Sequence, residues 1–315
     1  LTFGRNRFQE PNLILISSLM CRLFVFAIGT CGALGMVRAG VPETVIFDSA
    51  DGTVKLVGYL YLPDAGKWPG PRPAVVMLHG RSGVYSATAK HYDASTLAAR
   101  TTMWGQFWAA RGYVGLYVDT FGPRGYHKGF AAGTNDGSRP PEVNEIRVRP
   151  FDAYMGLKYL RTRADVQKDR VFLQGWSNGG SATLSTIAKQ TVAMASPTPE
   201  TGFRAAIAVY PGCGGIAKQY GPGYGTYAPT LLLIGTEDEE VSFSLCEKLA
   251  TRSKSASNEL TFVAYKGATH SYDTPIAKRQ SVAANVEASE DTQRRAEAFF
   301  GRFLADREAV KPSSN

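Results

Sequence analysis

Short apolar runs alternate with amphipathic stretches along most of this chain, from about residue 44 to residue 304. The runs at Thr44–Phe47, Val54–Leu62, Ala74–Leu78, Val114–Asp119, Val171–Leu173, Ala205–Tyr210, Thr230–Ile234 and Leu260–Tyr265 read as strands. Between and after them, Thr102–Arg111, Glu145–Arg161, Asn178–Lys189, Val241–Lys254 and Asp291–Leu304 carry helical periodicity. Strands that take turns with helices predict an α/β fold: about eight mostly parallel strands with helices on both faces. In the last helix Ala296, Phe299, Phe300 and Phe303 share one face, which is expected to pack on the sheet as core. The longest irregular segment, Phe121–Val143, is rich in Gly and Pro and is expected to wall a pocket; no large lid domain is visible.

The N-terminus breaks this pattern. Leu13–Val37 is largely apolar, with Arg22 ahead of the core Leu23–Ile28 and a Val37-Arg38-Ala39 ending. A positive residue, a short apolar core and small residues before a cut read as a secretory signal cleaved after Ala39, with Met20 as a candidate start. The domain reading is therefore 1–39 as N-terminal extension and signal, 40–305 as one α/β domain, and 306–315 as a short disordered tail. An exported protein (periplasmic or secreted) with no stable membrane association after cleavage is the expectation.

Losing residues 1–39 would remove Arg5, Arg7, Arg22 and Arg38 against Glu10, lowering the formal charge of +8 by three. The remaining basic excess is scattered and has no arginine run interleaved with aromatics, so nucleic acid is not expected as a partner. Of the four cysteines, Cys21 and Cys31 would leave with the signal. Cys213 and Cys246 remain, and an even pair in an exported protein makes them a disulfide candidate.

The candidate chemistry centres on Gly175-Trp176-Ser177-Asn178-Gly179-Gly180, placed after a strand and before a helix. In that context G-x-S-x-G is a nucleophile elbow: the turn is so tight that its flanking positions must be glycine, and Ser177 is presented at the sheet edge. A serine needs a base and an orienting acid. His270 is the only one of four histidines that follows Ser177, and it lies just after a strand. Thr230–Ile234 ends in Gly235-Thr236-Glu237-Asp238-Glu239-Glu240, where Asp238 is the favoured acid; the three glutamates and Asp273 are the alternatives. The backbone amides of Asn178 and of Arg81, in the loop His79-Gly80-Arg81-Ser82-Gly83, are the candidate oxyanion donors. His79 is expected to brace that loop. Arg124 is a candidate for a substrate carboxylate or for a salt bridge that pins its own loop, and Tyr85 and Trp176 either line an acyl pocket or pack beneath the elbow. There is no Walker pattern, no H-E-x-x-H and no cysteine–histidine set for zinc, so neither metal nor cofactor is expected.

Six elements in order resemble the dienelactone hydrolase family of the α/β-hydrolases: the 79–83 loop, Asp119–Gly125, the elbow, Tyr210–Gly214, the acid loop 235–238 and Gly267–His270. The resemblance covers about Glu43 to Leu304 and implies the α/β-hydrolase fold and hydrolysis of a small-molecule ester or lactone. One departure matters. The namesake enzymes carry a cysteine nucleophile and a glutamate in the first loop, where this chain has Ser177 and, by alignment, Gly80. The implied chemistry is therefore that of a serine esterase. A peptidase-like serine hydrolase and a non-catalytic binding protein on the same scaffold are the competing readings.

Overall fold

The computed structural model describes residues 41–134, 137–256 and 260–304. The signal-peptide and tail segments read from the sequence lie outside them. Eight strands form one sheet: β1 (Glu43–Asp48), β2 (Lys55–Tyr61), β3 (Arg72–Leu78), β4 (Val114–Asp119), β5 (Val166–Trp176), β6 (Ala206–Val209), β7 (Thr230–Gly235) and β8 (Leu260–Tyr265). Their spatial order is β1-β2-β4-β3-β5-β6-β7-β8. β1 and β2 pair antiparallel, as do β2 and β4; all other pairings are parallel.

The helices are α1 (Ala99–Ala110), α2 (Arg149–Thr162), α3 (Asn178–Thr186), α4 (Cys213–Tyr220), α5 (Phe243–Ala256), α6 (Ala277–Gln280) and α7 (Ala283–Gly301). They cover both faces, which is why β4, β6 and β7 are buried at every position. Alternation along β3 sorts its side chains. Val75 and Met77 join the aromatic core of α1 and α7, while Ala74, Val76 and Leu78 join α2 and the Ala182 and Ile187 positions at α3. Phe300 of α7 stacks on Phe172 of β5 at 4.5 Å and on Trp108 of α1 at 5.2 Å, so the aromatic stripe is core.

Several elements differ from the pattern reading; the last helix, for one, starts at Ala283, eight residues before the expected Asp291. The helix expected from Glu145 starts at Arg149, because the Asn144 side chain accepts the amides of Ile146 and Arg147 and so caps the preceding turn. Pro150 then sits in the first helical turn, where a missing amide costs nothing. β5 begins at Val166, its first half hidden from pattern reading by the exposed Lys168 and Asp169. Helix α4 was not expected, since Cys213-Gly214-Gly215 has poor helix propensity. It is held from outside its own sequence, by the burial of Ile216 and a Cys213–Cys246 disulfide to α5. Closing a loop with a sequence separation of 33 is worth about 3–4 kcal/mol in the chain-entropy account.

The strand order places the site. The chain leaves β3 for β4 on one side and returns to β5 on the other, so the loops after β3 and β5 diverge from adjacent strands. A crevice opens at such a switch point, outside the carboxyl ends of the strands.

Candidate active site

Ser177 occupies the turn between β5 and α3 with φ 53° and ψ −118°, a left-handed conformation that costs a non-glycine residue free energy. Its neighbours explain how it is held. A Cβ at Gly175 would lie 2.2 Å from the Gly179 carbonyl oxygen, and one at Gly179 would lie 2.1 Å from the Leu78 carbonyl oxygen. Only glycine fits either place. The Ser177 amide donates to the Val209 carbonyl at 2.9 Å, tying the turn to β6.

The serine Oγ is 2.9 Å from His270 Nε2, and His270 Nδ1 is 2.8 Å from Asp238 Oδ2. An ionised carboxylate only accepts, so it takes the hydrogen of Nδ1 and leaves the Nε2 lone pair facing the serine hydroxyl. Asp238 is itself fixed, accepting the amides of Glu240 and Val241 at 3.0 and 2.9 Å. The neighbouring glutamates also reach the histidine. Glu239 accepts the His270 amide at 2.8 Å and an Arg279 N–H at 2.7 Å. Glu240 stands 3.8 Å from His270 Nε2 and takes a two-pronged ion pair from Arg81, both bonds at 2.8 Å. That pair holds the Glu240 carboxyl below its ordinary range. The acidic run is thus a socket for one histidine, with only Glu237 left as an exposed side chain without a part in it.

Asp273 lies elsewhere. It is wholly buried and accepts Trp104 Nε1 at 2.7 Å, Trp176 Nε1 at 2.8 Å and the Tyr210 hydroxyl. Arg100 donates to the same Tyr210 oxygen at 3.0 Å, and the Tyr210 ring meets the His270 ring edge-on at 4.8 Å. This knot sits beneath the histidine loop, away from the imidazole nitrogens.

The loop after β3 approaches from the other side. A Cβ on Gly80 would be 3.5 Å from the Ser177 Cβ. His79 is buried and accepts the Thr120 amide at Nε2, 3.2 Å, so its hydrogen is on Nδ1, which donates to the Gly80 carbonyl at 2.7 Å. Burial and the nearby Arg149 charge push this imidazole well below its ordinary pKa, which keeps it neutral. A trans peptide carries its carbonyl and N–H on opposite sides, so holding the Gly80 oxygen against His79 turns the Arg81 amide the other way.

A profile of the dienelactone hydrolase family matches residues 56–304. The chain belongs to that family. It is 30% identical over 173 residues to the quorum-quenching protein AidA of Acinetobacter baumannii (strain MDR-ZJ06), a match covering 54% of this chain and 48% of that one. The chain therefore spans about half the length of the curated relative it matches. Thermogutta terrifontis esterase 2 in its apo form superposes with a TM-score of 0.59 at 20% identity, over 85% of this chain and 97% of its own. A Pyrococcus furiosus esterase superposes with a TM-score of 0.53 at 18% identity, over 84% and 93% of the two chains. At such identities the likeness is one of fold.

In this family member a cleft of about 270 Å³ opens at Ser177, and the other candidates from sequence divide around it. Arg81 and Asn178 line it, as does Glu240. Apart from Val241 and Cys213, its described lining is glycine, hydroxyl, amide or charged. Arg124 does not face it: the guanidinium is spent on Asp152, at 2.8 and 2.9 Å, and on the Thr120 carbonyl. Of its two expected roles, the loop-pinning salt bridge is the one observed. Tyr85 is buried with its hydroxyl 2.6 Å from that of Tyr59, and Trp176 is wholly buried on Asp273, so both pack beneath rather than line. Among the described residues no group of three His, Cys, Asp or Glu is placed to hold a metal ion, and no helix is long and apolar enough to cross a membrane.

Pattern reading missed Arg149 altogether. It is wholly buried at the start of α2 and bonded to Asn178 and to the His79 carbonyl. The only trace in the sequence is two arginines in Arg147-Val148-Arg149-Pro150 ahead of a helix, and nothing there says which one turns inward.

Proposed function

We propose that this protein hydrolyses carboxylic esters or lactones by a serine acyl-enzyme mechanism. The observation that carries the reading is the continuous hydrogen-bonded line from Ser177 Oγ through His270 to Asp238. Ser177 attacks the carbonyl carbon while His270 Nε2 takes its proton; Asp238 holds the ring and stabilises the imidazolium. The tetrahedral oxyanion is met by the amides of Asn178, at the N-terminus of α3, and of Arg81. Collapse expels the alcohol, protonated by His270, and a water activated by the same nitrogen then releases the acid.

Family membership and the fold shared with two esterases support ester hydrolysis as the class. The small polar cleft favours short acyl groups: each further methylene gains none of the ~0.8 kcal/mol that an apolar wall would give it. The Cys213–Cys246 bridge supports an oxidising compartment and hence export. The test is turnover of p-nitrophenyl esters of increasing chain length and of simple lactones, with Ser177→Ala beside it. The variant is expected to lose about 10⁶-fold in kcat and all labelling by a fluorophosphonate. Equal turnover by the variant, or labelling at another residue, would remove Ser177 from the mechanism.

A further inference from the structure

Arg149 is a charged side chain with no exposure and no direct carboxylate partner among the described residues. Its contacts are neutral: the Asn178 side-chain oxygen on Nη1, the His79 carbonyl at 2.8 Å on Nη2, and the face of Phe121 with the guanidinium carbon 5.0 Å from the ring centre. Glu145 and Asp152 favour its charge through space without bonding to it. Burying a cation with no hydrogen-bonded carboxylate is still costly, and a hydrophobic residue of similar size would fill the space without that cost. What the cation touches indicates its use. Asn178 follows the nucleophile, and the His79 carbonyl begins the turn that ends in Arg81. These are the two loops, from different strands, whose amides meet the oxyanion in the mechanism above.

The three hydrogen bonds form one frame. Arg149 holds the His79–Gly80 peptide by its oxygen, and His79 Nδ1 holds the next peptide, Gly80–Arg81, by its oxygen. The other end of the guanidinium fork holds the Asn178 side-chain oxygen, and the Nδ2 of that carboxamide has no partner among the described residues. A planar guanidinium with divergent donors can fix two loops at a set separation; a flexible ammonium cannot. Burial pushes the Arg149 pKa down to about 9, which still leaves the group charged at neutral pH, behind the place where negative charge develops.

We propose that Arg149 is a positioning residue for the oxyanion hole, clamping the 79–81 turn to the nucleophile elbow and placing a buried positive charge behind both amides. The proposal rests on the serine-esterase reading. It predicts loss of transition-state stabilisation without loss of substrate binding, because the oxyanion exists only after attack.

The experiment compares wild type, Arg149→Lys and Arg149→Met on a short p-nitrophenyl ester, with an alkylboronic acid as a tetrahedral anionic mimic and thermal unfolding as the control for folding. Arg149→Met is expected to lower kcat on the order of 100-fold with KM nearly unchanged, and to weaken boronate binding in proportion. Arg149→Lys keeps the charge and loses the fork, so a loss of about 10-fold is expected. Folded variants with kcat and boronate affinity within about twofold of wild type would overturn the proposal, as would a loss confined to KM. If Arg149→Met does not fold, Arg149→Lys decides by the same criteria. A wild type that neither turns over esters nor labels at Ser177 would overturn the esterase reading and this one together; an active wild type with unaffected variants overturns this one alone.

Discussion

Two aspartates with buried side chains flank the same histidine loop, and their surroundings are opposite. Asp238 meets His270 Nδ1 at 2.8 Å and takes two amides of its own loop. Asp273, three residues after the histidine, takes two indole N–H groups and a phenol hydroxyl. Residue type and side-chain burial do not separate them. Their donors do. A carboxylate whose donors are Trp104, Trp176 and Tyr210 has no imidazole nitrogen among its partners, and it knits α1, the elbow and the strand end after β6 into one unit. A carboxylate held by amides on one edge and open on the other can orient the ring and answer its charge.

The contrast is broken most sharply at Asp238. Asp238→Asn is expected to lower kcat by about 10⁴-fold, since the amide favours the wrong tautomer of His270, while Tm stays close to wild type. Normal turnover in that variant would move the acid role elsewhere. Asp273→Ala should do the reverse. It strands three buried donors at ~1–3 kcal/mol each, so Tm should fall by roughly 10 °C while kcat of the folded protein falls by less than about 10-fold. An Asp273 variant that keeps its Tm and loses its activity would make this carboxylate part of the chemistry.

The smallest effect belongs to the rim of the acid loop. The Arg81 fork holds the Glu240 carboxyl below its usual 4.5. The stability contributed by the pair is therefore complete above that pH and is lost as pH falls through the lower folded value. Glu240→Gln should lower Tm slightly at pH 7, by the equivalent of under about 1 kcal/mol for so exposed a pair. The gap should close steadily as pH drops below 4.5. A gap independent of pH would mean that the loop is held by something other than this charge.

Much of the site was legible because it is written in local constraints. Gly175 and Gly179 announce the turn that Ser177 needs, and the only histidine after Ser177 is the one that the structure places at its hydroxyl. Asp238 was favoured over four competitors by its place after a strand, but the run Glu237–Glu240 looked equally like a solvated loop. What assigns Glu239 to the His270 amide and Glu240 to Arg81 is the packing of the β7 and β8 loops against the loop after β3, which no spacing encodes. Arg124 illustrates the same limit. Its two expected roles differ only in whether Asp152, 28 positions away, turns toward it.

By itself, the chain determined the alternating α/β architecture, the elbow, the one histidine that follows the serine and the pair of cysteines available for a bridge. Each follows from periodicity, steric exclusion or simple scarcity, and these act between near neighbours or on counts. Tertiary structure alone decided which buried aspartate faces the imidazole, that helix α4 forms despite its glycines, and that Arg149 rather than Arg147 turns inward. Those outcomes depend on which donors and acceptors meet across strands far apart in sequence. The cost of leaving a buried polar group unpaired selects among them only once the sheet has brought the loops together.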